Sequence, residues 1–215
     1  MLAAALVAVM AVNASAQELT DNYNRVQVGY QLNWFSSNED DMEEALPNMN
    51  GLSVGYVHGF NITSMPMFIE TGLKLSAGFG SKSEKEDGYK YEIKNRLMSL
   101  TVPVSYVYKF ALGDAVVLSP YAGFDFKVHL LGKSKTKEES PFYGDESETV
   151  NIFDKDDMEG YTFNRFQMGW HVGVGAEWSS FYGGIEVGTD FLRFYSHEGV
   201  KVSSGTFAVN LGYKF

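Results

Sequence analysis

The chain has 215 residues and a net charge of −10 at neutral pH, a balance that excludes an ordinary nucleic-acid binder, which carries a basic patch. It has no cysteine, so structural disulfides, thiolate metal centres and cysteine nucleophiles are excluded as well. Twenty-two glycines against 5 prolines, with 15% aromatic residues, favour antiparallel β structure over a helical bundle. Mean hydropathy is −0.17. Beyond the N-terminal stretch no apolar run approaches the roughly 18 residues a membrane helix needs. If this chain crosses a bilayer, it crosses with strands.

Residues 1–16 are apolar and end in Ala14-Ser15-Ala16, a small-residue pattern suited to signal peptidase. The sequence therefore predicts a signal peptide over 1–16 and a single mature domain over 17–215. No Lys or Arg precedes the apolar run, which is expected of a start codon placed too far downstream. No cysteine follows the cleavage site, so a lipoprotein anchor is not expected.

Eight segments then alternate with a period of two, the signature of half-buried strands. In 25–35, Val26, Val28, Tyr30, Leu32 and Trp34 share one face, opposite Arg25, Gln27, Gly29, Gln31 and Asn33. Segment 51–60 sets Leu52, Val54, Tyr56 and Phe60 against Ser53, Gly55 and Gly59. Segment 67–80 sets Ile69, Leu73, Leu75, Ala77 and Phe79 against Glu70, Gly72, Lys74, Ser76 and Gly78. The longest, 89–110, places Leu100, Val102, Val104, Tyr106, Tyr108 and Phe110 together. In 115–132, Leu118, Ala122, Phe124, Phe126, Val128 and Leu130 oppose Ser119, Gly123, Asp125, Lys127 and His129.

Segment 161–178 opposes Phe166, Met168, Trp170, Val172, Val174 and Trp178 to Arg165, Gln167, Gly169, His171, Gly173, Gly175 and Glu177. Segment 181–195 opposes Ile185 and Val187 to Gly184, Glu186, Gly188 and Asp190. The last, 207–215, opposes Phe207, Val209, Leu211, Tyr213 and Phe215 to Ala208, Asn210, Gly212 and Lys214.

Connections after odd segments are long or charged (36–50, 81–88 and 133–160), with 196–199 the short exception. Those after even segments are brief: 61–66, 111–114 and 179–180. That rhythm, with an even strand count, predicts an up-and-down membrane barrel whose termini and short turns are periplasmic. Crossing the hydrocarbon takes only about 9–11 residues per strand, so the longer strands should project beyond it on the outer side.

A soluble lipocalin-type barrel has the same alternation inverted, with the apolar face inward around a ligand. Two features favour the membrane orientation. The polar face mixes small residues with charges of both signs: Arg25, Lys74, Lys127, Arg165 and Lys214 against Glu70, Asp125, Glu177, Glu186 and Asp190. Such a set can fill and neutralise a narrow eight-stranded interior, giving a salt-bridged plug rather than a water channel. Aromatic residues also fall at segment ends, where two headgroup-level girdles are expected. Phe60, Phe68, Tyr108, Phe110, Trp178, Phe181, Tyr213 and Phe215 would form the inner girdle; Trp34, Phe79, Tyr89, Tyr161 and Tyr195 the outer.

The stretches Phe68-Ile69-Glu70-Thr71-Gly72-Leu73, Leu100-Thr101-Val102-Pro103-Val104, Pro120-Tyr121-Ala122-Gly123, Gly173-Val174-Gly175-Ala176-Glu177 and Asn210-Leu211-Gly212-Tyr213-Lys214-Phe215 carry a family likeness. With them the chain resembles the small OmpA/OmpX-like barrels and, more narrowly, the porin-family outer membrane protein beta-barrel domain proteins of Bacteroidetes. The resemblance implies an all-β, eight-stranded antiparallel up-and-down transmembrane β-barrel in the outer membrane of a Gram-negative bacterium. It also implies contact with outer-membrane lipid and lipopolysaccharide, and insertion by the barrel-assembly machinery, which reads a C-terminal strand ending in an aromatic residue such as Phe215. It implies no defined activity. The expected role is structural or surface presentation to an unidentified extracellular partner at the loops, with no catalysis, cofactor, metal or nucleic acid.

Two other readings stay open, a lipid A-modifying barrel enzyme and a soluble ligand-binding barrel. Ser196-His197-Glu198 holds the residue types of a nucleophilic relay, but adjacent residues point apart and cannot form one among themselves. His58, His129 and His171 lie on strands without a nucleophile motif. Acidic residues gather at Glu39, Asp40, Asp41, Glu43 and Glu44, and at Asp154, Asp156, Asp157 and Glu159. Carboxylates suit Ca²⁺ or Mg²⁺, but the second group lacks the glycine a calcium loop needs at its sharp turn, and solvated loops are expected. Asn61-Ile62-Thr63 matches a glycosylation sequon, without meaning in a bacterial periplasmic turn.

Overall fold

The computed structural model describes residues 19–38, 46–86, 89–113, 115–140, 144–157, 163–197 and 199–215. Its strands are β1 (Tyr23–Ser37), β2 (Met49–Asn61), β3 (Met67–Glu86), β4 (Tyr89–Tyr108), β5 (Phe110–Leu112) and β6 (Val116–Ser140). They continue with β7 (Gly144–Asn151), β8 (Phe166–Trp178), β9 (Phe181–Asp190), β10 (Tyr195–His197) and β11 (Val200–Lys214). Eight of them form a ring in the order β1-β2-β3-β4-β6-β8-β9-β11, every neighbour antiparallel. The ring closes where β11 returns to β1, from Arg25 opposite Lys214 to Ser37 opposite Val202. Closure leaves the staves no unpaired edge inside a bilayer, where a bare N–H or C=O would cost several kcal/mol.

The alternation resolves as an oily outside and a polar inside. Leu52 is 68% and Leu211 63% exposed, whereas Arg25 is 4% and Glu177 2%. In water such an apolar belt would aggregate; in lipid it is the surface that belongs there. Phe60, Trp178, Phe181, Tyr213 and Phe215 stand exposed at the end that holds the short turns, as a girdle requires. Phe68 does not join them: it is fully buried, because its position in β3 has inward parity, and it packs edge-on against Tyr23. Tyr195 also leaves the outer girdle, packing 5.0 Å from Phe163. Tyr161 and the side chain of Tyr89 lie outside the described residues.

Strand ends depart from the periodicity in instructive ways. β3 runs on to Glu86 and β6 to Ser140, and β7 folds back along β6 within the expected 133–160 loop. These extensions are polar on both faces, so a search for apolar alternation passes over them. The fourth stave stops at Tyr108, and Phe110–Leu112 resumes separately as β5 against the start of β6. Between them Lys109 turns inward. The seventh stave ends at Asp190, and Tyr195–His197 forms β10 beside the start of β11, which begins at Val200. β8 begins at Phe166, and the described residues 163–165 ahead of it are not in a strand.

One β-bulge shapes the outer half. Ser99 of β4 pairs with His129, but Met98 pairs with Leu131, so Leu130 is an extra residue. Leu130 and Leu131 both face outward, and from there the inward parity of β6 shifts to Gly132 and Ser134.

Candidate functional site: the charged barrel interior

Each stave contributes every second side chain to the lumen, and the charged ones meet in layers. Nearest the short turns, Glu177 of β8 forms an ion pair with Lys109 at 2.7 Å through Oε1 and accepts from Lys214 of β11 at 2.5 Å through Oε2. The Lys109 ammonium also lies 3.5 Å from the centre of the Tyr23 ring and 4.9 Å from that of Phe68. One layer on, Arg25 of β1 grips Glu70 of β3 bidentately at 3.1 and 2.8 Å and lies 3.8 Å from the Tyr182 ring centre. The Tyr23 hydroxyl also donates to Glu70. Higher still, Lys74 bonds Glu186 at 3.1 Å, and Lys127 bonds both oxygens of Asp190 at 2.9 and 3.1 Å.

The expected neutralisation is therefore present. Of the predicted inward set, Arg25, Lys74, Lys127 and Lys214 meet Glu70, Glu186, Asp190 and Glu177 respectively. Arg165 is the exception. It precedes β8, sits exposed at the outer rim, and donates to the carbonyls of His129 and Leu130 at 3.2 and 3.1 Å beside the Phe153 ring. Lys109, which the periodicity left unnoticed in an apolar run, takes a buried place instead. Its signal was parity, since it follows Ser105 and Val107 on the inward side of the chain.

Glycines make room for the rings. At Gly175 and Gly184 a Cβ would overlap the Tyr182 side chain, and at Gly173 it would overlap Tyr121. The polar-face glycines thus let tyrosines lie flat across a lumen that eight strands leave narrow.

His171 stands between Ser105, whose Oγ is 2.7 Å from Nε2, and Asp125, whose Oδ2 is 3.3 Å from Nδ1. This is a Ser–His–carboxylate line in the geometric sense. All three are recessed in the lumen, and cavities of about 40 and 30 Å³ lie beside them, room for a few waters. His129 pairs with Ser99 at 2.7 Å, and His58 with Asn24 at 2.7 Å near the short turns. Ser196 is exposed; the side chain of His197, and Glu198, lie outside the described residues.

Aromatic clusters lie toward both ends. Tyr23, Phe68 and Val107 pack together at the inner end, with Tyr121 against them. At the outer mouth Phe35, Met49, Ile152, Phe153, Phe163, Phe194 and Val202 form a second core. Phe194 is its hub, with ring centres 5.3 Å from Phe35, 4.9 Å from Phe163 and 5.2 Å from His129. Backbone bonds hold the loops in place, Phe194 N to Val202 O at 2.8 Å and Ile152 N to Gly132 O at 3.1 Å.

Of the acidic groups, Asp157 accepts from Asn151 N at 2.9 Å and Asp154 from Asp156 N at 3.1 Å, both turn-forming contacts. Among the described residues no cluster of three metal-ligating side chains forms. Glu39, Asp40, Asp41, Glu43, Glu44 and Glu159 lie outside them. On the projecting strands, hydrogen bonds from Lys137 and Lys90 hold the Glu139 carboxyl below its usual range, and the bond from Lys94 does the same for Glu92.

A closed ring with a lipid-compatible outer wall, aromatic rims and an ion-paired lumen defines an integral outer-membrane β-barrel of a Gram-negative bacterium. The family described as outer membrane protein beta-barrel domain matches residues 2–215, and the chain belongs to it. Similar solved structures include Ail, the attachment invasion locus protein of Yersinia pestis, at 17% identity over 91% of this chain and 99% of that one, with a TM-score of 0.39. Neisserial surface protein A matches at 13% identity over 89% and 97% (TM-score 0.42), and OprG from Pseudomonas aeruginosa at 12% over 91% and 97% (0.41). A comparison with curated proteins finds no match.

Proposed function

We propose that this barrel is a non-catalytic, non-conducting surface protein that holds a stiff β-sheet outside the cell for contact with an extracellular partner. The observation that carries this reading is the continuity of β3, β4, β6 and β7 beyond the outer aromatic core as one hydrogen-bonded sheet. Its outer pairs, from Lys85 opposite Lys90 to Lys137 opposite Ser147, lie past any apolar belt. In this reading residues 1–16 are removed on export, the barrel-assembly machinery inserts the strand ending at Phe215, and both termini stay periplasmic. The capped lumen and its small cavities support the absence of transport and of catalysis by Ser105.

The chain has no cysteine, so an introduced one is a unique label. A membrane-impermeant maleimide should modify Ser147→Cys on intact cells, as an amine reagent should modify Lys135 or Lys137, while Ser64→Cys in the opposite turn should react only after lysis. The reverse pattern would overturn the orientation. In planar bilayers the purified protein should give no stable single-channel conductance; steady openings would remove the sealed-lumen reading.

A further inference from the structure

The outward face of the projecting sheet sorts its charges by height. In the row next to the lipid-facing residues Arg96 stands opposite Lys133, and in the row above Lys94 stands opposite Lys135. Like charges directly opposite across an antiparallel pair, with Cα atoms about 5 Å apart, repel. Further out the same face is neutralised: Lys90 pairs with Glu139 at 3.2 Å, and Lys137 pairs with Glu139 at 2.7 Å and Asp145 at 3.2 Å. Of the lower four, Lys94 has Glu92 at 2.9 Å, and among the described residues no carboxylate pairs with Arg96, Lys133 or Lys135.

Their cross-strand flanks, Phe79 and Ser81 on β3 and Asn151 and Thr149 on β7, carry no charge. The β6 bulge is what creates the patch, because its parity shift turns Lys133 and Lys135 outward beside Arg96 and Lys94. In a chain of net charge −10, four cations thus collect where the oily wall ends. Phe79, 55% exposed, sits beside Arg96, and Leu131, 54% exposed, lies just below. From Tyr108 to Met98 the fourth stave climbs about 25 Å at ordinary strand rise and tilt, the height of a barrel's apolar band, so Arg96 emerges at headgroup level.

We infer that Arg96, Lys94, Lys133 and Lys135 form a binding site for the phosphate groups of a phosphorylated glycolipid in the outer leaflet. The planar guanidinium can fork to two phosphate oxygens, while the three ammonium groups act as adjustable point charges around it. A bound phosphate relieves both like-charge pairs at once. The inference rests on the orientation proposed above.

The test uses full-length protein refolded into phosphatidylcholine nanodiscs and native mass spectrometry of bound lipid. Wild type should hold diphosphorylated lipid A at least about tenfold more tightly than dephosphorylated lipid A. The variant Arg96→Gln/Lys94→Gln/Lys133→Gln/Lys135→Gln should lose that preference, whereas Lys90→Gln/Lys137→Gln should keep it. Folding is checked by heat-modifiable gel mobility, and should the fourfold variant misfold, Lys133→Gln/Lys135→Gln is expected to lose part of the preference and the arginine pair to restore it. Equal binding of the two lipids by wild type, or an unchanged preference in the glutamine variants, overturns the site. Inorganic phosphate binding as tightly as lipid A overturns the headgroup assignment. Because nanodisc binding does not depend on cellular orientation, failure here with Ser147→Cys still labelled from outside rejects this site alone.

Discussion

Replacing Glu177 by leucine should cost the folded barrel about 3–5 kcal/mol, the usual penalty for removing one partner from a buried ion pair. Glu177 is the shared counter-ion of Lys109 and Lys214, so its loss leaves two ammonium groups facing each other in the lumen. Lys214 is 29% exposed and can turn toward the inner rim, but Lys109, at 3%, cannot. Contact with the Tyr23 and Phe68 rings offsets only part of that charge. Lys109→Met should be milder, because Glu177 keeps Lys214. The double variant Lys109→Met/Glu177→Leu should be less destabilised than the sum of its parts, since the charge left stranded by one change is removed by the other. Urea unfolding in phosphatidylcholine vesicles measures all three. A Glu177→Leu barrel as stable as one carrying Glu92→Gln on the projecting strands would disprove the buried network.

Val54→Arg should destabilise the same vesicle-inserted barrel by about 2–4 kcal/mol, the cost of a cation at mid-bilayer on the lipid face. Val54 is 55% exposed and lies between Val28 and Leu75 on the neighbouring staves, within the apolar belt. Ile62→Arg, in the turn after β2, should cost about 0–1 kcal/mol, as cations do near the interface. In a soluble barrel both sites would face water and the two substitutions would be equally mild. Equal stabilities would therefore show that the apolar wall does not meet lipid.

The two predictions differ in how far they could be read from the chain alone. Val54 alternates with Ser53 and Gly55, and that two-residue period is a property of the extended backbone, present before any strand finds its partner. So the eight staves, the lipid-facing set and most inner-girdle aromatics were legible from residue order. The polar face was legible as a set too, with Arg25, Lys74, Lys127 and Lys214 all found inside. Glu177 was on that list, but its principal partner Lys109 was hidden among Tyr108 and Phe110, where an apolar pattern masks a single inward cation.

Arg165 erred the other way: parity pointed it inward, but β8 had not yet begun. The aromatic hub around Phe194 had no local signature, because its members come from β1, the chain between β7 and β8 and the β9–β10 link, far apart in sequence. That the longer strands project was expected, but the extensions of β3 and β6 and the return strand β7 escaped notice because they carry no apolar alternation.

Residue order by itself determined that the chain forms strands, which side of each is oily, and that the two sides belong to different solvents. Only the tertiary structure decided which charges meet, which rings cluster at the ends and where cations gather. Those depend on ring closure, register and a one-residue bulge, quantities that relate separate strands and that no single strand contains.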